Sequence, residues 1–523
     1  MRQLVVDSFA GGGGASTGIE MALASLRARG LLPDHASDHV DFAINHDDAA
    51  LAMHLANHPA TVHLPHNVWK VSLRDLLNDD VIGLLWASPD CRHHSNAKGG
   101  APVSKSVRDL AFVVLKWLKE LRPEQMPRLI FIENVPEFRF WGPTLPDGEG
   151  GERPDPERRG ETFDAWVSEL RRMGYPNVEW RELRACEYGA PTLRKRLYLV
   201  ASRDRRAIAW PEPTHGEPGS DAVLSGRLLP WPVSGDLIDW SLECPSIFLT
   251  RAGARRRART SGKRLVRPLA PNTMTRIAKG VQRYVLDNPA PYLVTCSSPG
   301  SEFRGRVPDL ATPPSASAVF IAQHNNDPRR RGGVNPGQPA DRPMATVVGS
   351  GSHQGVIAAH MISLKGSDRR AGDCAVPHAA VCAGGQHSGV VSLPLARIDE
   401  GAGLTPKQLR MARRVARFLR SHGCWDGGDI VRVGDRVVLD VGMRMLIPRE
   451  LARAQGFPED YILAAPHGDG TLTDTEQRHK IGNSVCPQVA AALVAANYRP
   501  GLPLKSARPR PAPLLDALSR KAA

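Results

Sequence analysis

The chain has 523 residues, of which 41% are hydrophobic and 23% charged, with a formal net charge of +14. Such a composition belongs to a globular protein with a sizeable core spread over roughly two to four domains, and no apolar stretch is long enough to suggest a membrane span. The cationic excess favours a polyanionic partner, nucleic acid before a membrane surface.

The first 205 residues alternate short apolar runs with helical patterns. LVVDSF (4–9), DFAIN (41–45), VIGLLWAS (81–88), RLIFIEN (128–134) and RLYLVAS (196–202) read as buried strands. Between them, Gly18 to Arg29, Ala49 to Asn57 and Val107 to Leu121 have helical spacing. This alternation predicts a doubly wound α/β sheet with a largely parallel core. Ligands of such sheets bind beyond the carboxyl ends of the strands, so chemistry is sought there. The N-terminus, MRQLVVDSFAGGGG, is strand-like and glycine-rich rather than a secretory signal, and a cytoplasmic or nucleoid location is expected.

After residue 205, proline, glycine and arginine become frequent, and long helical patterns are absent until Pro406. RAGARRRARTSGKRLVR (251–267) holds eight basic residues and no acidic one, and PRRRGG (328–333) adds a second basic run. These runs suit phosphate binding better than a merely solvated face. PMATVVGSGSHQGVI (343–357) recurs as PHAAVCAGGQHSGVV (377–391), with a looser copy from Pro271. Each unit reads as two short strands around a Gly/His turn, and His353 and His387 are expected to make ordinary turn hydrogen bonds. Regular patterns resume at about 443, and Ser484 to Tyr498 reads as a helix. The tail from 501 to 523 is basic and proline-rich, and is expected to be mobile.

Three strand ends carry reactive residue types. Asp7 to Gly14 (DSFAGGGG) lets the backbone approach a ligand closely and opens a helix with free N–H groups. The dinucleotide fingerprint G-x-G-x-x-G is not met, because its third glycine falls on Ser16. Cys91, in SPDCRHHS, sits beside basic residues where a thiolate is stabilised and exposed. The eight cysteines form no CxxC pair, which disfavours a zinc ribbon or a disulfide framework, and Cys91, His93 and His94 lack a second ligand pair for zinc. Glu133 closes an apolar strand, where a carboxylate is costly unless paired or used. Arg194 and Arg196 alternate on one strand face. Together these residues are a nucleophile, an acid and a pair of cations.

In this order the motifs resemble the cytosine-5 DNA methyltransferase family, of phage-like prokaryotic type. DSFAGGGG resembles its cofactor motif, SPDCRHHS its nucleophile loop, ENV (133–135) its glutamate motif and RKR (194–196) its arginine motif. RMLIPRELARAQGFP and GNSV (482–485) resemble its last two motifs. The resemblance implies a class I S-adenosylmethionine-dependent methyltransferase, with a Rossmann-like doubly wound sheet and an inserted, smaller, irregular β-rich target-recognition domain. Residues 1–205 and 443–500 would form the catalytic domain and 206–442 the DNA-recognition domain. Implied catalytic residues are Cys91, Glu133, Arg194 and Arg196. Implied S-adenosyl-L-methionine residues are Asp7, Phe9, Ala10, Gly11, Gly13, Gly14, Asn67, Asn483, Ser484 and Val485, with no metal. The implied partner is double-stranded DNA bound by a monomer, with room for a cognate restriction endonuclease. Competing readings are the same chemistry on RNA and a non-catalytic DNA-binding protein on the same fold. The basic insert favours duplex DNA over RNA, and retention of Cys91, Glu133 and both arginines argues for catalysis.

This sequence departs from the family pattern at four places. The proline of the nucleophile loop, Pro89, lies two residues before Cys91, a phage-like variant. His46 stands where an acid contacts the cofactor ribose, with Asp47 the nearest substitute. Asn67 replaces an aspartate, and Thr192 stands where the arginine motif begins with glutamine.

Overall fold

A computed structural model describes residues 1–90, 109–146, 152–240, 242–262, 264–288, 404–434 and 436–502, together with short strand segments between 293 and 397. Cys91, the loop around it, His353, His387, the 328–333 run and the tail from 503 lie outside the described residues.

Seven strands form the main sheet: β1 (Gln3–Ser8), β2 (Phe42–Ile44), β3 (Val62–Leu64), β4 (Val81–Ala87), β5 (Leu129–Asn134), β6 (Asn177–Arg184) and β7 (Lys195–Ser202). Their spatial order is β3-β2-β1-β4-β5-β7-β6. The first five run parallel, and β7 lies antiparallel to both β5 and β6. Alternate residues of each strand feed opposite faces, as the period-2 pleat requires. Val5, Leu84, Trp86, Phe131 and Val200 pack on α1 (Gly14–Ala28) and on the last helix. Val6, Leu85, Ile130, Ile132 and Leu199 pack on the helices Phe112–Glu120 and Glu161–Arg172. The expected doubly wound sheet is therefore present. The strand β6 is an addition to the expectation, since NVEWRELR is mostly polar and only half covered.

Two expectations for the middle of the chain are corrected. The run at 251–267 is largely a helix, Arg251–Ser261, capped by Thr250 accepting from Gly253 N–H. The looser repeat copy at Pro271 is a helix too, Pro271–Val281, with proline in its first turn. Its Ile277, Ala278 and Val281 are buried, so apolar spacing of three and four residues decided against a hairpin. In the repeat, Val348–Gly349 pairs antiparallel with Gly384–Gly385, joining the two copies. The strand Ser388–Arg397 runs antiparallel to Ala316–Gln323, Arg436–Val438 and Gly442–Met445. Onto this second sheet packs the helix Pro406–Ser421, through Val415, Ala416 and Leu419.

The chain returns to the main sheet through Gly442–Met445, then helices Pro448–Gln455, Asp474–Asn483 and Pro487–Asn497. The last begins three residues later than expected, because Pro487 fixes its first turn. Glu450 anchors this return. It is fully buried, accepts from Arg444 Nη1 and Nη2 at 2.9 and 2.7 Å, and also receives Asp239 N–H and Ile447 N–H. Such a bidentate pair with its remaining lone pairs satisfied is the form in which a buried ion pair is tolerated.

Candidate active site

The glycine-rich turn between β1 and α1 contains residues of two kinds. Gly12, Gly13 and Gly14 are buried against the C-terminal part of the chain. A Cβ on Gly14 would stand 2.2 Å from the Val485 carbonyl oxygen, and one on Gly13 would stand 2.2 Å from the Tyr461 hydroxyl. Gly11 is different. At φ +54° its added Cβ would meet, among the described residues, only Phe9 O, at 3.8 Å. Phe9 itself has φ 61°, a conformation that a bulky residue adopts only under constraint.

Behind the turn lies a buried polar chain. Ser16 Oγ donates to Asp7 Oδ2 at 2.7 Å and lies 2.8 Å from His54 Nε2; His54 Nδ1 lies 2.8 Å from His63 Nε2. The failed dinucleotide fingerprint is thus explained, because the hydroxyl at position 16 has a buried partner that glycine would lack. Thr17 donates to Gly13 O, His58 bridges Thr17 and Glu20, and the Tyr461 hydroxyl donates to Gly12 O at 2.6 Å. Burial pushes the Asp7 carboxyl up to about 7, against the opposing pull of Ser16 and the nearby His58. Burial likewise holds the His54 imidazole well below its usual range. Among the described residues no group of acidic, histidine and cysteine side chains could hold a metal ion.

Beside the turn, the segment Gly482–Val485 is held from three sides. Arg194 Nη1 donates to Gly482 O at 3.1 Å, Gln455 Nε2 to Ser484 O at 2.7 Å, and Gly14 packs on Val485. The same arginine faces Glu133: its Nη2 lies 3.6 Å from Glu133 Oε1, and Arg196 Nε lies 3.3 Å from that oxygen. Glu133 is buried, and Oε1 accepts no hydrogen bond among the described residues. Asn134 next to it donates to Pro89 O at 3.1 Å, which ties the end of β5 to the stretch leading to Cys91.

The structure therefore brings Glu133, Arg194, Arg196, the glycine turn and the 483–485 segment into one cluster at the carboxyl ends of β1 and β5. Of the ten residues expected to hold the cofactor, Asp7, Ala10, Gly13, Gly14, Ser484 and Val485 are buried. Phe9, Gly11 and Asn483 are accessible. Asn67 is exposed and caps a short turn by accepting from Trp69 N–H. Asp47, the nearest substitute for the acid at position 46, already has a partner on each oxygen. One of its oxygens caps the helix Asp48–Asn57 through Ala50 N–H, and the other is bonded to Lys480.

Residues not among the expected site residues also build its surroundings: Gln455, Tyr461, Lys480, Glu450, and the histidines 54, 58 and 63. Only Gln455 and Glu450 carried a signal, since both fall in the RELARAQGFP motif. The others act through contacts between residues distant in sequence.

A glycine cradle with one open Cβ position, beside buried Asp7 Oδ1 and Ser8 Oγ that have no hydrogen-bond partner among the described residues, fits a nucleoside-type cofactor. With the sheet order and its antiparallel β7, this defines a class I methyltransferase fold. A profile described as C-5 cytosine-specific DNA methylase matches residues 4–222 and 409–498, and the chain belongs to that family. It is 26% identical over 235 residues to the type II methyltransferase M.SacI of Streptomyces achromogenes, covering 43% of this chain and 55% of that one. To M.NaeI of Lentzea aerocolonigenes it is 30% identical over 216 residues, covering 41% and 44%. The chain thus spans about half the length of these curated relatives. The Entamoeba histolytica methyltransferase EhMeth superposes over 94% of this chain and 97% of its own, at 14% identity and a TM-score of 0.42.

Proposed function

We propose that the protein transfers a methyl group from S-adenosylmethionine to carbon 5 of a cytosine flipped out of duplex DNA. The observation carrying this reading is the Glu133–Arg194–Arg196 cluster set against the glycine turn and the 483–485 segment. S-adenosylmethionine supplies an electrophilic methyl on its sulfonium; the Phe9–Gly14 turn and Asn483–Val485 would hold it. Carbon 5 of cytosine is a poor nucleophile until carbon 6 is attacked. Cys91 is assigned that attack as a thiolate. Glu133, as the acid, gives its proton to ring nitrogen 3 and so neutralises the negative charge that the addition creates. Carbon 5 then takes the methyl group as the methyl–sulfonium bond breaks, solvent water accepts the carbon-5 proton, and Cys91 leaves as a thiolate to restore the ring. Arg196 and Arg194 orient Glu133 and the extruded base, which must leave the stack to be reached.

The division into a catalytic domain at 1–205 and 443–500 and a recognition domain at 206–442 belongs to this reading. So do a monomeric state and a cognate restriction endonuclease, the latter in keeping with the type II names of the two relatives. The helix Arg251–Ser261 is assigned to DNA phosphates: Arg255, Arg256 and Arg259 are exposed along it. The test is bisulfite sequencing of DNA from cells expressing the protein, alongside methyl transfer by the purified chain. Methylated cytosines at one recurrent sequence are expected. Transfer to RNA alone, or DNA binding with no transfer, would replace this reading by one of its rivals.

A further inference from the structure

The helix Pro406–Ser421 is amphipathic in charge as well as in hydropathy. Its cations are Lys407, Arg410, Arg413, Arg414, Arg417 and Arg420, and it carries no acidic residue. At about 100° per residue these six fall within an arc of about 140°, while buried Ala412, Val415, Ala416, Phe418 and Leu419 fill the opposite side. Thirteen residues of helix extend about 20 Å, a length over which one DNA strand presents about six phosphates.

Not all six charges are equally available. Arg413 and Arg420 lie 3.8 and 3.5 Å from Asp429, the carboxylate paired with this face among the described residues. Arg414 donates to Phe248 O at 2.9 Å and lies over the Phe248 ring, two residues before the cap of the helix Arg251–Ser261. Lys407, Arg410 and Arg417 are exposed and have no recorded partner among the described residues. A solvated helix surface normally mixes both signs of charge, often as i,i+4 pairs. This one keeps a single sign over more than three turns and is pinned by Arg414 to the start of a second arginine-rich helix.

We propose that the basic face of the helix Pro406–Ser421 is a phosphate-contacting surface that holds duplex DNA by its backbone, independently of sequence. It extends the surface of the helix Arg251–Ser261. The proposal rests on the reading of the protein as a DNA methyltransferase. Phosphate contacts of this kind position a duplex without reading it, and their loss weakens all sequences alike.

The test compares the full chain with the triple variant Lys407→Gln, Arg410→Gln, Arg417→Gln, and with Arg410→Lys, Arg417→Lys, which keeps the charge. Affinity for duplexes with and without the methylated site is measured against salt, with methyl transfer and melting temperature in parallel. The triple variant is expected to lower the log–log salt slope by about 0.9 per lost contact, up to about 2.7, equally on both duplexes. The lysine variant should keep the wild-type slope, and both should melt as the wild type does. An unchanged slope in the triple variant of a protein that still methylates DNA overturns the proposal and leaves the enzymatic reading standing. A lowered slope in a protein that transfers no methyl group does the reverse. Weakening confined to the site-bearing duplex would make the face a base reader and overturn the proposal. So would wild-type affinity for anionic vesicles or RNA with none for duplex DNA.

Discussion

Replacing Gly14 by alanine tests the join between the two ends of the chain. The added Cβ would stand 2.2 Å from Val485 O, 3.0 Å from Ser484 Cβ and 3.2 Å from Val485 C. Its nearest obstacle is backbone, which cannot swing aside as a flexible side chain would. Either α1 or the 483–485 segment must shift by about 1 Å to restore van der Waals distance. Overpacking of this kind costs about 1–3 kcal/mol, and the helix propensity gained on replacing glycine returns at most about 1 kcal/mol. A fall in melting temperature of a few degrees is expected, at about 2–4 °C per kcal/mol for a domain of this size. Because the 483–485 segment is part of the proposed cofactor wall, affinity for S-adenosylmethionine should fall with stability. Gly11→Ala is the control. Its Cβ meets nothing nearer than 3.8 Å, so it carries only the left-handed backbone cost of about 1–2 kcal/mol. If Gly11 faces the cofactor, its affinity loss should exceed about a hundredfold, or about 2.7 kcal/mol, which is more than that cost. Calorimetric titration with S-adenosylmethionine and thermal denaturation read both quantities. A Gly14→Ala protein as stable as the wild type, with the same affinity, would refute the forced contact.

Cys91→Ser should abolish methyl transfer while sparing cofactor affinity, and 5-fluorocytosine at the mapped site should trap the wild-type protein covalently; near-normal turnover of the variant would remove Cys91 as nucleophile. Glu133→Gln should reduce turnover by about a hundredfold or more at retained DNA affinity, since an amide cannot donate a proton to ring nitrogen 3; a loss below about tenfold would contradict the role. Asp7 makes stability depend on pH. Its folded value, about 7, is raised above the ordinary 3.8, so its contribution is fully present below about pH 4 and is lost as pH rises through 7. Between pH 5 and 8 the wild type should lose about 3 kcal/mol relative to Asp7→Asn, and parallel urea-unfolding curves at the two pH values would show that Asp7 does not titrate there.

Local pattern determined much of this protein. The apolar runs in LVVDSF and RLIFIEN, buried on both faces, and the glycine run after β1 are properties of contiguous residues, so the parallel sheet and its strand ends were legible in the sequence. Glu133, Arg194 and Arg196 were legible for the same reason, each standing at the end of a strand. The helix Arg251–Ser261 was hidden because its arginine-rich composition masks apolar spacing; only Gly253 and Ala254 in it are buried. What tertiary structure alone decided is which glycines are closed by packing and which stay open. Gly11 and Gly14 are identical in sequence terms, and only the arrival of Val485, some 470 residues later, assigns Gly14 to packing. The same holds for Asp47, whose two oxygens are taken by Ala50 N–H and Lys480, and for the Ser16–His54–His63 chain behind Asp7. Hydrogen bonds and steric contacts reach only a few ångströms, so partners far apart in sequence are settled by where the fold brings them.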